Sequence, residues 1–184
     1  LAHIDLEHDI SFIGALYPYR VQLIDYLRAQ GLDVVVNPHR EDITSDFKSS
    51  RSNQPGWLDY MAGLAGSKMT VNFSRSSAGS WEQLKTRVIE ATVAGAFLLT
   101  DDRDRTRLYF EPNVEYGYFT DSNHLRLVAA SWLEAEPLRI DGAVRAQAKA
   151  RRIISEDFWK RIDQGLEARG LPVTGVFSGQ APKS

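Results

Sequence analysis

Residues Ser80 to Thr100 read SWEQLKTRVIEATVAGAFLLT, a stretch that predicts a helix followed at once by a strand. Apolar residues recur at helical spacing through Val88 and Ala91, and Gly95 is a residue type that commonly ends a helix. The apolar run from Ala96 to Thr100 has the character of a strand buried on both faces. Helices that alternate with such strands are typical of α/β folds with a parallel sheet.

The rest of the chain repeats this alternation. Four further strands are predicted at Ile10–Leu16, Asp33–Asn37, Lys68–Phe73 and Glu115–Phe119. Helices are predicted at the segments beginning with Pro18 and Trp57, then at Ser122–Glu134 and at Ile140 to about Leu166, broken near Ser155. We therefore predict a Rossmann-like parallel sheet with helices on both faces over residues 1–170, and a flexible tail over residues 171–184.

Composition excludes several classes of protein. The net charge of −2 argues against a nucleic-acid surface and against a polybasic membrane anchor. The 184 residues include no cysteine, which excludes a disulfide framework and thiolate metal sites. No apolar run reaches the roughly 18–20 residues that span a bilayer, and no signal peptide is evident. We expect a cytoplasmic protein without a membrane span and without a nucleic-acid partner.

The helix of the opening stretch is a candidate anion site. Ser80 is predicted to cap a helix that starts at about Trp81. The free N–H groups and the dipole at such a helix start favour an anion such as a phosphate. Lys85 and Arg87 from the helix, and Arg75 from the preceding turn, would add charge-assisted contacts. The alternative is that a capped amphipathic helix packs its apolar stripe on the sheet and binds nothing.

Two glutamates of this stretch form a second candidate feature. On one helix, Glu82 and Glu90 would lie about 80° apart around the axis, near enough to flank one ligand. A carboxylate at Glu90 could accept hydrogen bonds from two ribose hydroxyls, and Glu82 could do the same for a sugar. Two alternatives stay open, because the helix dipole alone favours Glu82, and Glu90 could pair with Arg87.

The segments after the strands are the other candidates, since ligands of parallel sheets bind at the carboxyl ends of strands. Gly14 follows the first strand and permits close approach to the backbone, and Arg20 lies one turn into the next helix. Neither G-x-G-x-x-G nor a P-loop lysine motif is present. The four histidines show no metal spacing, so no metal site is predicted. Asp101 and Asp102 are interpreted as solvated loop carboxylates, because a phosphate-accepting receiver domain needs its acids after the first strand.

These residues resemble a known family. The run from Gln83 to Ala91, followed by Ala94 to Thr100, resembles the C-terminal half of GT-B glycosyltransferases, and within them the CgeB-like, "glycosyl transferases group 1" proteins. Four further stretches fit in the order of the family, namely Ser11–Gly14, Ser67–Arg75, Phe110–Pro112 and Asp157–Trp159. The resemblance covers nearly the whole chain, roughly from Ile10 to Leu166.

The resemblance implies a domain that binds a nucleotide-diphosphate sugar as donor substrate, with no metal and no other cofactor. Glu82 and Glu90 match the E-x7-E pattern of the family, in which the second glutamate holds the ribose and the first lies by the donor sugar. Glu82 is thus the implied catalytic residue, and Lys85 and Arg87 would face the diphosphate. The other predicted donor-binding residues are Gly14, Arg20, Arg75 and Ser80.

The resemblance also implies what this sequence lacks. A complete GT-B enzyme has two such domains with catalysis between them, and the acceptor-binding N-terminal domain is not part of these residues. We therefore expect the donor-binding domain of a hexosyltransferase-like enzyme that belongs to a longer chain and transfers no sugar by itself. The alternative is a non-catalytic Rossmann-like binding or interaction module that has lost its site, which the presence of Lys85, Arg87 and Glu90 disfavours.

Overall fold

The computed structural model describes residues 6, 8–36, 57–75, 82, 84–101, 103–154, 164–165 and 167–169. Within them, the strands are β1 (His8–Phe12), β2 (Val34–Val36), β3 (Ser67–Asn72), β4 (Phe97–Thr100) and β5 (Tyr116–Tyr118). The helices are α1 (Pro18–Ala29), α2 (Trp57–Ala65), α3 (Thr86–Ala94), α4 (Ser122–Glu134) and α5 (Glu136–Arg152), with a 3-10 turn at Thr106–Leu108.

The described strands form one parallel sheet in the order β2-β1-β3-β4-β5. Ile10 of β1 lies opposite Val34 of β2 on one side and Met69 of β3 on the other. The predicted α/β fold with a Rossmann-like parallel sheet is thereby confirmed. β1 ends at Phe12 rather than at the predicted Leu16, because Gly14 has φ +149° and the chain leaves the extended conformation there.

Helices cover both faces of the sheet, and the alternation of strand residues separates the two layers of the core. In β4, Phe97 and Leu99 belong to the apolar cluster that includes Ile24 of α1 and Leu125 of α4. Leu98 belongs to the opposite cluster, which contains residues of α2, α3 and α5. The continuous apolar run of β4 is therefore explained, since a strand covered on both faces has no solvated side.

The start of α3 differs from the prediction. The helix begins at Thr86 with Lys85 at the N-cap position and no side-chain cap, so the predicted start near Trp81 is wrong. Glu82 instead forms an isolated antiparallel bridge with Arg75, which holds this part of the chain extended. The prediction that Glu82 and Glu90 lie 80° apart on one helix is wrong for the same reason. Ser80 lies outside the described residues.

The ends of the chain are described only in part. α5 starts at Glu136, four residues before the predicted Ile140, and Pro137 stands at its start, where proline is well tolerated. The predicted break near Ser155 and the predicted tail over residues 171–184 fall outside the described residues. In the part of the chain that the structure describes, no helix is both long enough and apolar enough to cross a membrane.

Candidate functional site

The site lies where β1 and β3 end side by side. The connection from β1 leads outward to β2, whereas the chain after β3 continues to β4, so the two loops diverge. Ligands of parallel sheets bind at such a switch point, and we call the region between the two loops the crevice. Gly14 stands in the loop after β1, and Arg75 stands after β3. Lys85 and Arg87 enter from the start of α3. The structure thus brings together four predicted site residues that are up to 73 positions apart, from 14 to 87.

Gly14 and Arg87 are in direct contact. A Cβ atom on Gly14 would lie 2.7 Å from Nη2 of Arg87, and the φ of +149° at Gly14 is one that other residues rarely adopt. Only glycine therefore lets the guanidinium rest against the first loop. Burial lowers the pKa of Arg87, and the neighbouring Tyr60 and Glu90 partly offset that effect. Nε of Arg87 is buried and has no hydrogen-bond partner among the described residues.

Arg20, in the first turn of α1, is hydrogen-bonded to both loops. Its side chain is buried, with an exposed fraction of 4%. Nη1 donates to the carbonyl of Ala15 at 3.0 Å, and Nη2 donates to the carbonyl of Arg75 at 3.0 Å. Nε donates to the hydroxyl of Tyr19, which itself donates to the same Arg75 carbonyl. These bonds tie the loop after β1 to the loop after β3, so Arg20 shapes the crevice and adds positive charge beneath it.

Three cations meet at this end of the sheet. The pKa of Lys85 is lowered, first by burial and then by the charges of Arg20 and Arg87. Asp104 acts in the opposite direction and raises it. Three cations thus lie close enough to disfavour one another's charge, and a bound anion would relieve this repulsion. A cluster of like charges also attracts ligands of the opposite sign.

Glu90 is held by a residue that sequence reasoning missed. The hydroxyl of Tyr60, on α2, donates to Oε2 of Glu90 at 2.5 Å. Burial and this hydrogen bond raise the pKa of Tyr60 to about 12, so its hydroxyl stays protonated and acts as a donor. The available signal in the sequence was a single hydroxyl-bearing side chain in the mostly apolar run WLDYMAGLA. That signal is weak, because the pairing depends on how α2 packs against α3.

The acidic residues on the β4 side have partners of their own. Glu82 is paired with Arg103 at 3.3 Å and is 40% exposed. Asp101 accepts a hydrogen bond from the backbone N–H of Ser74 at 3.4 Å, and burial raises the pKa of its carboxyl. The interpretation of Asp101 as a solvated loop carboxylate is therefore wrong, whereas Asp102 lies outside the described residues.

The described residues contain no group of three or more histidine, cysteine, aspartate or glutamate side chains placed to hold a metal ion. The side chains at the crevice are cations, with the carboxylates of Glu82 and Glu90 beside them as hydrogen-bond acceptors. Glu90 stands on the α2 side of these cations and Glu82 on the β4 side, at the Arg103 pair. A ligand that combines an anionic group with hydroxyl groups matches this arrangement.

The fold is a Rossmann-like α/β domain, with Arg20, Lys85 and Arg87 close together at the carboxyl ends of its strands. Comparison with known families shows that residues 22–166 match the family described as glycosyl transferase-like. Because the match covers 145 of the 184 residues, the chain belongs to this family. No curated protein matches the sequence. The predicted relation to glycosyltransferases is confirmed at this level.

Proposed function

We propose that this domain binds the nucleoside-diphosphate portion of a sugar donor and forms the donor-binding half of a GT-B glycosyltransferase of the CgeB-like group. The observation that carries the proposal is the cluster of Arg20, Lys85 and Arg87 at the diverging loops, where Arg20 bonds to both loops and Arg87 lies against Gly14. Membership of the glycosyl transferase-like family supports a sugar donor as the source of that anion.

The start of α3 supplies the phosphate contacts in this proposal. The N–H of Val88 donates to the carbonyl of Lys85 at 3.0 Å, so the N–H groups of Thr86 and Arg87 are the ones proposed to meet the phosphate. In glycosyl transfer the diphosphate is the leaving group and gains negative charge as the bond to the sugar breaks. Fixed cations at that position stabilise the charge where it develops, which lowers the barrier.

The two glutamates occupy different places in the proposal. Glu90, beside Arg87 and bonded to Tyr60, accepts ribose hydroxyls on one side of the diphosphate. Glu82, on the far side with Arg103, lies toward the sugar and is the proposed catalytic carboxylate. Transfer also requires an acceptor site, which we assign to a second domain outside these residues. We expect donor binding but no sugar transfer by the 184-residue protein.

Calorimetric titration with uridine, guanosine and adenosine diphosphates tests the proposal. We expect one of them to bind, and Lys85→Gln to weaken that binding by about 10-fold or more, since a charge-assisted hydrogen bond contributes roughly 1.5–3 kcal/mol. Arg145→Gln removes the same charge from the exposed face of α5, where Arg145 pairs with Asp141, and should leave affinity unchanged. If no nucleoside diphosphate or nucleotide sugar binds, the non-catalytic module is the better description.

A further inference from the structure

We infer that Tyr60 is a positioning residue for ribose recognition, because its hydrogen bond aims the Glu90 carboxylate at the sugar hydroxyls of the nucleotide. The inference rests on the proposed function and extends it to a residue on a different helix. Tyr60 is on α2 and Glu90 is on α3, thirty positions later in the chain.

The hydrogen bond from Tyr60 fixes one oxygen of the Glu90 carboxylate and leaves the other oxygen available to a ligand. Oε2 of Glu90 accepts the hydrogen bond from Tyr60, whereas Oε1 has no hydrogen bond to any described residue. Glutamate has several rotatable bonds and loses considerable rotamer freedom when it is fixed. A carboxylate that is already fixed binds its ligand more tightly, because its conformational entropy was lost on folding and is not lost again on binding.

The electrostatic surroundings keep this arrangement in place. Tyr60 has a pKa of about 12, so at neutral pH its hydroxyl offers a proton and adds no negative charge beside Glu90. Arg87 lies close to both groups and counters the charge of the carboxylate. Glu90 therefore lies at the meeting point of Arg87 from the cation cluster and Tyr60 from α2.

A purely structural role for Tyr60 makes a different prediction. If the bond only joined α2 to α3, its loss would lower stability and weaken all ligands alike. If the bond aims Glu90, its loss weakens ligands that carry ribose hydroxyls more than ligands that lack them. Ligands with and without these hydroxyls therefore separate the two roles.

The experiment compares the wild type with Tyr60→Phe, which keeps the ring and removes the hydroxyl. The probes are uridine, guanosine and adenosine diphosphates, their 2′,3′-dideoxy counterparts and inorganic pyrophosphate, titrated calorimetrically. We expect Tyr60→Phe to weaken the bound nucleoside diphosphate by about 3- to 10-fold, as for one hydrogen bond. Binding of its dideoxy counterpart and of pyrophosphate should weaken by less, because these ligands register only the loss of the Tyr60 hydroxyl beside Arg87.

Two variants serve as controls. Tyr26→Phe removes a hydroxyl that donates to Asn123 at 3.5 Å, on the opposite face of the sheet, and should change no affinity. Glu90→Gln should abolish the preference for the ribose form, and adding Tyr60→Phe to it should cause no further loss of that preference. If Tyr60→Phe does not fold, Glu90→Asp, which draws the carboxylate away from Tyr60, should give the same ribose-specific loss.

The outcomes are distinguishable. Equal loss for every ligand, or no loss for the ribose form, would overturn the role of Tyr60 while the proposed function stands. Equal binding of the ribose and dideoxy forms by the wild type would also overturn the role of Tyr60 and leave the proposed function standing. Failure of the wild type to bind any nucleoside diphosphate would overturn the proposed function itself, and the positioning role with it.

Discussion

Gly14 shows how one residue controls the crevice. Its φ of +149° is open to glycine and strained for other residues, and the place of a Cβ atom is already taken by the Arg87 guanidinium. The absent side chain thus has two consequences: it lets the loop after β1 turn, and it gives Arg87 its resting place. The sequence indicated the first consequence, because a glycine directly after a strand is a recognisable signal. The second required the packing of α3.

Substitution of this glycine tests both consequences. We expect Gly14→Ala to lower the free energy of unfolding by about 1–3 kcal/mol, the usual cost of a sparsely populated backbone conformation, and to weaken anion binding by displacing Arg87. Urea denaturation measures the first effect and pyrophosphate titration the second. Gly31→Ala is the control, since Gly31 has φ +86° but nothing within 4 Å of its Cβ position. It should lose stability without any change in binding, and an unchanged stability of Gly14→Ala would contradict the argument.

Asp101 gives a prediction with a defined pH dependence. Burial raises the pKa of this carboxyl in the folded protein above its ordinary value, so folding favours the protonated form. The cost to stability therefore develops as pH rises from about 3.9 through the folded pKa, and is complete above it. We expect Asp101→Asn to raise the free energy of unfolding at neutral pH, because the amide is uncharged and its oxygen can still accept from Ser74.

Urea denaturation at several pH values measures this effect. The advantage of Asp101→Asn over the wild type should shrink toward zero as pH falls below the ordinary carboxyl range. Asp25→Asn is the control, because Asp25 is exposed on α1 and only 3.9 Å from Arg28 as an i,i+3 partner. A gain from Asp101→Asn that is the same at every pH would show that burial of the charge is not its cause.

Among the helices and strands, α5 owes its close packing on the sheet to a glycine, Gly142. A Cβ atom on Gly142 would lie 2.2 Å from the carbonyl oxygen of Val114 and 3.0 Å from Cε2 of Phe97. The helix therefore approaches the chain before β5 more closely than any side chain permits. Nothing in the local sequence indicated this, because glycine inside a helix is ordinarily unfavourable.

Substitutions inside α5 separate the effect of helix propensity from the effect of the close contact at Gly142. Alanine is about 1 kcal/mol better than glycine in helices, yet we expect Gly142→Ala to lower stability by about 2–3 kcal/mol, since a backbone carbonyl cannot move aside as a flexible side chain can. Ala148→Gly, at an exposed position of the same helix, should lose only about 1 kcal/mol through propensity. Thermal and urea unfolding measure both, and a Gly142→Ala protein as stable as the wild type would refute the close contact.

At the scale of the whole molecule, the positions of the charges say more about ligand binding than the net charge does. The chain has a net charge of −2, yet Arg20, Lys85 and Arg87 meet at one end of the sheet. The net charge is the basis for expecting no nucleic-acid partner, but it carried no information on this local concentration of cations. The strand order places residues from β1, β3 and α3 beside one another, and only the assembled fold produces the crevice.

Ionic strength tests this local field. We expect the affinity for the bound nucleoside diphosphate to fall by about 3- to 10-fold between 0.05 M and 0.5 M salt, since salt screens partly exposed charges. The corresponding nucleoside, which carries no phosphate, should show little dependence in the same titrations. Bound ligand should also raise the unfolding temperature, because it stabilises only the folded state. An affinity for the diphosphate that does not change with salt would argue against recognition by the cation cluster.

The sequence by itself determined the α/β class, the parallel strands and the glycosyltransferase relation. These depend on local signals: apolar runs of strand length, a terminating Gly95, and motifs in a given order. Only the tertiary structure decided that α3 begins at Thr86, because the pairing of Glu82 with Arg75 competes with helix formation. It also decided the partnership of Tyr60 with Glu90, since that contact joins two helices whose packing no local pattern encodes.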